Sequence, residues 1–187
     1  TLNPSNPSAM SARARAFAAK GSPAEAISQM DRAIELKGND KKLLFDKAKV
    51  LEQSGDKEQA ATVLKKVVEM DPSDIDAYDA LISLDDQKTW TVAKAEALLR
   101  SKRYDESLKA LDDVLAHDPE NVDVMLVKAK ILMEERNFDE ASAIYDKVLD
   151  IDPGSFSANL GKAQVLRSAG DPEGSVKFYK EALRADV

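Results

Sequence analysis

A short motif ending in Asp-Pro recurs along this chain at a fixed interval. Residues 114–121 read VLAHDPEN and residues 148–155 read VLDIDPGS, so Pro119 and Pro153 lie 34 residues apart. A third copy, VVEMDPSD at 67–74, puts 47 residues between Pro72 and Pro119, which indicates a single insertion of thirteen residues. Fixed periods of roughly 20–50 residues are typical of proteins built from stacked repeats. The repeat therefore limits the possible folds more than any other feature of the sequence.

With each of these prolines at position 32 of a 34-residue repeat, the repeats span about 7–40, 41–74, 88–121, 122–155 and 156–187, with an insertion at 75–87. Positions 8 and 20 are then small in every repeat: Ala14, Ala48, Ala95, Ala129 and Ala163, and Ala26, Ala60, Ser107, Ala141 and Ser175. Positions 11 and 24 are always bulky: Phe17, Leu51, Leu98, Leu132 and Leu166, and Met30, Leu64, Leu111, Tyr145 and Tyr179. Small residues let two helices approach closely, and bulky ones fill the space beside them.

Each repeat is predicted to contain two helices. Alanine, leucine, lysine and glutamate, which favour helix, are abundant. Ser22-Pro23 and Asp171-Pro172 have the form of a helix start, a capping residue followed by proline. Three repeats have glycine at position 15, where a left-handed conformation can end the first helix: Gly21, Gly55 and Gly170.

These columns resemble the tetratricopeptide repeat family, and the resemblance covers about residues 7–187. Two features depart from the family pattern. The usual tryptophan at position 4 is absent, and the usual leucine at position 7 is basic in every repeat: Arg13, Lys47, Lys94, Lys128 and Lys162. The resemblance implies an all-α fold, a right-handed superhelical solenoid of about five helix-turn-helix units in a single array over residues 1–187. Residues 1–6 are expected to be disordered or to mark the edge of a cut chain.

The thirteen inserted residues are predicted to add a short helix at about 74–83. Ser83 would then cap a new helix over about 85–101. One straight helix cannot keep both apolar faces inward, because thirteen residues rotate it by about 220° beyond whole turns. The insertion is either neutral or a bend or lid beside a binding groove, with Tyr78 and Trp90 as exposed anchors.

The sequence predicts no enzyme, no cofactor and no metal site. There is no cysteine, and the single histidine, His117, belongs to a mostly apolar column and is expected to be a half-buried packing residue. Adjacent carboxylates such as Asp112 and Asp113 lie about 100° apart on a helix and cannot face each other across a cleft. A net charge of −7 argues against nucleic-acid binding. No apolar run approaches about 18 residues, so no membrane insertion is expected, and the lack of a signal peptide favours the cytoplasm.

The resemblance implies that the first helices of the repeats line a concave groove. The groove residues would be six apolar side chains edged by two lysines: Phe45, Val92, Leu99, Leu126, Met133 and Leu160, with Lys49 and Lys130. Such a stripe suits an amphipathic helix or an extended peptide that is both acidic and apolar. Alternatively, these side chains pack against each other and the insertion.

Chaperone-binding members of the family clamp a C-terminal carboxylate with lysine, asparagine and arginine at fixed positions. Counted from the second repeat, those positions hold Phe45, Lys49, Ala93, Asp123 and Val127, and counting from the first or third repeat gives no better match. The chain is therefore not expected to be a clamp for chaperone tails.

The leading hypothesis is a non-catalytic protein–protein interaction scaffold that binds a peptide or helix of an unidentified partner in this groove. The alternative is a homo-oligomer assembled through the last repeat, where Val176, Tyr179 and Leu183 are expected to be partly uncovered. A third hypothesis is an accessory domain of an enzyme encoded elsewhere in a longer chain.

Overall fold

The computed structural model describes residues 6–84 and 87–185, and within those residues all regular structure is helical. This confirms the all-α prediction. The helices are α1 (Pro7–Ala19), α2 (Pro23–Lys37), α3 (Lys41–Gln53), α4 (Lys57–Met70), α5 (Ile75–Leu84), α6 (Gln87–Arg100), α7 (Tyr104–His117), α8 (Val122–Glu134), α9 (Phe138–Ile151), α10 (Phe156–Ser168) and α11 (Pro172–Ala185). The starts of α3, α8 and α10 coincide with the predicted repeat boundaries at Lys41, Val122 and Phe156.

The chain forms two compact units, residues 1–90 and residues 91–187, here called the N-terminal and C-terminal units. In the N-terminal unit, α1 packs on α2 and α3 on α4; in the C-terminal unit, α8 packs on α9 and α10 on α11. Each pair is one repeat, a hairpin of two helices. The prediction of one continuous array through both units stays a prediction.

The small columns lie where two helices meet. Ala95 and Ala129 at position 8, and Ala141 at position 20, are fully buried. Ser107, the position-20 residue of the third repeat, is equally buried, and its hydroxyl donates a hydrogen bond to the carbonyl oxygen of Ala95 at 2.7 Å. A serine fits this column because the facing helix satisfies its only polar group.

The turns between paired helices use the left-handed conformation. The φ values of Gly21, Gly55 and Gly170 are 78°, 84° and 90°, which confirms the prediction for position 15. Lys102 and Arg136 occupy the same position in the third and fourth repeats with φ of 58° and 62°. A side chain in this conformation costs about 1–2 kcal/mol, so the turn geometry is imposed by the packing of the helices it joins.

The two predicted helix starts at Ser22 and Asp171 have different outcomes, and a third cap lies at Asn6. Asp171 caps α11, since its carboxylate accepts a hydrogen bond from the Gly174 amide at 2.8 Å. Ser22 precedes Pro23 at the start of α2, but its side chain makes no capping hydrogen bond. Asn6 belongs to residues 1–6, which were expected to be disordered or to mark the edge of a cut chain, and it caps α1 by accepting a hydrogen bond from the Ser8 amide at 2.9 Å. Residues 1–5 lie outside the described residues.

The insertion contributes α5, which packs on α4 within the N-terminal unit. Ala77 and Leu81 of α5 are fully buried. Ser83 was predicted to cap the next helix, but it lies within α5, where its hydroxyl donates to the carbonyl of Ala80 at 2.7 Å. The alternative in which Tyr78 is an exposed anchor is wrong, because this side chain is buried, with 5% of it exposed. The rest of the predicted cap region, residues 85–86, lies outside the described residues.

Three of the five basic residues at position 7 form ion pairs between consecutive repeats. Lys47 of α3 binds Asp31 of α2 at 2.6 Å, and Lys162 of α10 binds Asp146 of α9 at 2.6 Å. Lys128 of α8 binds Asp112 of α7 in the same way. In all three pairs, the lysine at position 7 meets the aspartate at position 25 of the preceding repeat. A charged pair therefore replaces the leucine contact usual at this position.

Candidate functional site

The predicted groove residues of the C-terminal unit lie on its first helices, α6, α8 and α10. Five apolar side chains are half-buried and form what we call the apolar stripe: Val92, Leu99, Leu126, Met133 and Leu160. Val92 and Leu99 of α6 pack beside buried Val127 of α8. Leu126 and Met133 pack against the cluster formed by α8, α9 and α10. Four of the five stripe residues are thus anchored in the core, while part of each side chain stays accessible.

Charged side chains border the apolar stripe. Lys130 is exposed one turn after Leu126 on α8, and Glu96 is half-buried one turn after Val92 on α6. Gln164 holds the matching position on α10. This surface can bury apolar side chains of a bound segment and pair with its charges at the edge.

Gly161 brings the backbone of α10 against a buried aromatic ring. A Cβ atom on Gly161 would lie 2.2 Å from the Cζ atom of Tyr145 on α9, so only glycine fits against this ring. Burial raises the pKa of Tyr145 to about 12. This pair was not predicted from the sequence, where its signal is a glycine at position 6 of the repeat that follows a tyrosine at position 24.

In the N-terminal unit, predicted groove residue Phe45 lines a cleft of about 170 Å³. The other lining residues come from the starts of α3 and α5 and the turn before α5: Lys41, Lys42, Asp74 and Asp76. Lys49 lies outside the cleft lining, with its ammonium 4.6 Å from the centroid of the Phe45 ring. Phe45 and Lys49 were predicted from the sequence, whereas Lys42 and Asp76 were not.

Lys41 organises the electrostatics of the Phe45 cleft. Its ammonium binds Asp71 at 2.6 Å and Asp74 at 2.9 Å. The hydrogen bond from Lys41 lowers the pKa of Asp71, and the two carboxylates raise the pKa of Lys41. These charges are satisfied internally, which leaves Lys42 and Asp76 as the lining charges without a partner in the described part of the chain.

A second cleft, of about 240 Å³, lies in the C-terminal unit beside Met125, where the family usually has tryptophan at position 4. Leu115, Pro119 and Ile144 line its apolar part, with Lys128 and Lys147 at its edge. In the next repeat, Phe178 occupies the position that corresponds to Ile144, and Lys162 lies 6.0 Å from the centroid of its ring. Two side chains that are smaller than their counterparts, Met125 and Ile144, therefore line the cleft.

The remaining predicted residues lie at separate places. On α11, Val176 and Leu183 are 49% and 71% exposed, and Tyr179 is half-buried. Trp90 is half-buried, with its ring 6.5 Å from that of Tyr78. His117 was predicted to be a half-buried packing residue; this is wrong, because it is exposed at the end of α7, with Nδ1 2.9 Å from the carbonyl oxygen of Asp113.

Two further properties apply to the described part of the chain. No cluster of three or more histidine, aspartate or glutamate side chains is arranged to hold a metal ion. None of the helices combines the length and the apolar character required to span a bilayer.

Several solved structures resemble this chain, all at low sequence identity. One, described as MamA 41-end from Desulfovibrio magneticus RS-1, is 18% identical, covers 96% of this chain and 94% of its own, and has a TM-score of 0.49. Another, described as the crystal structure of MamA, is 21% identical, covers 92% of this chain and 94% of its own, and has a TM-score of 0.48. With TM-scores below 0.5, these structures carry no information on the function of this chain. No curated protein matches the sequence significantly.

The family itself is established from the sequence. One family model described as tetratricopeptide repeat matches residues 17–84 and 98–154, and another with the same description matches residues 128–186. Together these matches include most of the helices of both units. Repeats of this kind generally serve as scaffolds for protein–protein interaction. The chain belongs to the tetratricopeptide repeat family.

Proposed function

We propose that this chain is a non-catalytic scaffold whose C-terminal unit binds a peptide or helix of a partner protein on the apolar stripe. The observation that carries the proposal is the half-burial of all five stripe residues, from Val92 to Leu160. Side chains held in place by a core, yet still accessible, can contribute apolar area to a complex with little loss of conformational freedom. The exposed Lys130 favours a ligand with a carboxylate close to its apolar residues.

The Phe45 cleft is proposed as a second contact of the same kind in the N-terminal unit. Phe45 supplies an apolar wall, while Lys42 and Asp76 supply one charge of each sign. A cleft of this size accepts one side chain of a bound segment rather than a whole helix.

The proposal is tested with peptides selected from a random library displayed on phage against the wild-type protein. Binding of the selected peptides is then measured to Leu126→Asp and to Lys130→Glu. Lys130 is exposed, so its reversal leaves the fold intact, whereas Leu126→Asp requires a check of helicity. Lys109→Glu is the matched control. Lys109 is also exposed, but it lies on α7, the second helix of its repeat, whereas the stripe lies on first helices. We expect Leu126→Asp and Lys130→Glu to bind at least about tenfold more weakly and the control to bind as wild type. Equal binding by all variants would refute the stripe as the site.

Self-assembly through α11 is the second candidate function. It is favoured by the exposure of Val176 and Leu183 on the same helix. Light scattering as a function of concentration tests it: association that is abolished by Leu183→Asp is the expected result, and a monomer at all concentrations rules this function out.

A further inference from the structure

The exposed side of α11 holds the same repeat positions as a surface of α9. In the same unit, that surface of α9 is covered by α10. Tyr179 and Lys180 on α11 hold positions 24 and 25 of the fifth repeat. In the fourth repeat, Tyr145 and Asp146 on α9 hold those positions, and α10 packs against them. The contacts between α9 and α10 therefore indicate what would fit on α11.

Two contacts define how α10 fits on α9. Gly161 of α10 leaves room for the ring of Tyr145, since a Cβ atom there would approach the ring to 2.2 Å. The next residue, Lys162, extends its ammonium to Asp146 at 2.6 Å and to the hydroxyl of Ser142 at 2.7 Å. The first contact selects the smallest residue at position 6, and the second selects the sign of the charge at position 7.

On α11 the requirement for a small residue facing the tyrosine is retained, whereas the required sign of the facing charge is reversed. Tyr179 again calls for a small facing residue, but Lys180 stands where the fourth repeat has an aspartate. Lys180 is exposed and forms no ion pair with any described residue. Lys177 and Arg184, one turn before and after Lys180, add to the positive charge, although Arg184 already binds Glu181 at 2.7 Å. A carboxylate is the group that complements this position.

A second copy of this chain lacks the matching residues. Position 7 is basic in all five repeats, so the first helix of any repeat placed on α11 as α10 lies on α9 would bring a like charge to Lys180. Like charges in contact oppose association. Charge complementarity therefore favours a different occupant.

We propose that α11 is a docking surface for an amphipathic helix of a partner protein, which carries glycine or alanine opposite Tyr179 and aspartate or glutamate opposite Lys180. The exposed Val176 and Leu183 would be covered by the apolar face of this helix. This partner helix differs from α10, because α10 carries a positive charge, that of Lys162, at the position where the partner helix carries a carboxylate. This surface is separate from the apolar stripe, so the proposal and the stripe can fail independently. It is the same surface as in the self-assembly through α11, so those two occupants exclude each other.

The test uses helical peptides derived from α10 and the chain itself. The first probe is FSANLGKAQVLRS, the sequence of Phe156–Ser168, and the second carries Lys162→Glu. A third carries Lys162→Glu together with Gly161→Leu. Each is stapled between the positions of Gln164 and Ser168, which are exposed in α10, because an isolated helix of this length is otherwise unstable. Binding to wild type, to Lys180→Asp and to the control Lys177→Asp is measured by fluorescence anisotropy.

We expect the glutamate probe to bind wild type at least about fivefold more tightly than the lysine probe. This ratio of affinities corresponds to the free energy of one exposed ion pair. The preference should reverse with Lys180→Asp and persist with Lys177→Asp. The probe with leucine in place of glycine should lose most of its affinity. Failure of all probes to bind, or binding that is indifferent to the charge at position 180, overturns the proposal.

Hydroxyl-radical footprinting of the free protein decides between other occupants. We expect Val176 and Leu183 to react freely before any probe is added and to be protected by the glutamate probe. Protection in the free protein would mean that a second copy, or another segment of the same polypeptide, already covers α11, and would overturn the proposal.

Discussion

Replacing Gly161 by alanine tests the contact between α10 and Tyr145. Inside a helix, this change normally stabilises by about 1 kcal/mol, because alanine has the higher helix propensity. Here the new Cβ atom would lie 2.2 Å from Cζ, 2.4 Å from Cε1 and 2.6 Å from the hydroxyl of Tyr145. The ring is buried and must move by more than an ångström to restore an ordinary contact.

Overpacking a core in this way costs about 1–3 kcal/mol, and a displaced aromatic ring belongs at the upper end of that range. After subtraction of the gain in helix propensity, we expect Gly161→Ala to lower the free energy of unfolding by about 2 kcal/mol. The measurement is urea denaturation followed by circular dichroism. A stabilised Gly161→Ala protein would refute the reasoning.

Gly161→Ala is also introduced into a Tyr145→Leu variant. Leucine is chosen because it holds position 24 in the second and third repeats. Without the ring, Gly161→Ala should stabilise by up to about 1 kcal/mol, so the coupling between the two positions is about 3 kcal/mol. Gly174→Ala is the control: its Cβ atom would meet only the carboxylate of Asp171, which can rotate away, and we expect a change within about 1 kcal/mol. Equal effects of Gly161→Ala in both backgrounds would show that the ring is not the cause.

Three further changes test the packing of the C-terminal unit. Lys162→Met removes the ion pair with Asp146 and should lower the free energy of unfolding by about 1 kcal/mol in urea, an effect that shrinks in high salt; a salt-independent loss would point to packing instead. Burial raises the pKa of Tyr145 to about 12, so the stability it contributes is complete below pH 10.0 and lost as the pH rises towards 12. Tyr145→Phe should show less of this alkaline loss in thermal melts, and an unchanged pH profile would contradict the assignment. Ile144→Phe copies Phe178 into the cleft beside Met125 and should raise the free energy of unfolding by about 1 kcal/mol, whereas a decrease would mean that the cleft cannot hold a ring.

The repeat and its helices were predictable because their signals are local or strictly periodic. Gly21 ends its helix in the left-handed conformation, because glycine adopts this conformation at little energetic cost. The starts of α3 at Lys41 and of α8 at Val122 follow from the spacing of the Asp-Pro motif. The left-handed conformation of Lys102 and Arg136 was not predictable in this way, because these residues have no local preference for it.

The candidate site was predictable only in part. Position 5 identified Leu126 and Leu160 as accessible apolar residues, and both are half-buried in the structure. The burial of Tyr78 and the role of Asp76 beside Phe45 were missed, because both depend on how α5 packs within the N-terminal unit. An inserted segment lies outside the repeat, so no column in the other repeats could indicate its neighbours.

The sequence by itself determined the period, the positions of the helices, the buried columns and the family, since each follows from residue types at a regular spacing. Only the tertiary structure decided which side chains meet between repeats. Lys162 binds Asp146 across 16 residues of chain, and Tyr145 packs on Gly161 in the following repeat. A column records what recurs at one position, but these contacts join two different positions on two different helices. Their partners are set by how neighbouring hairpins stack.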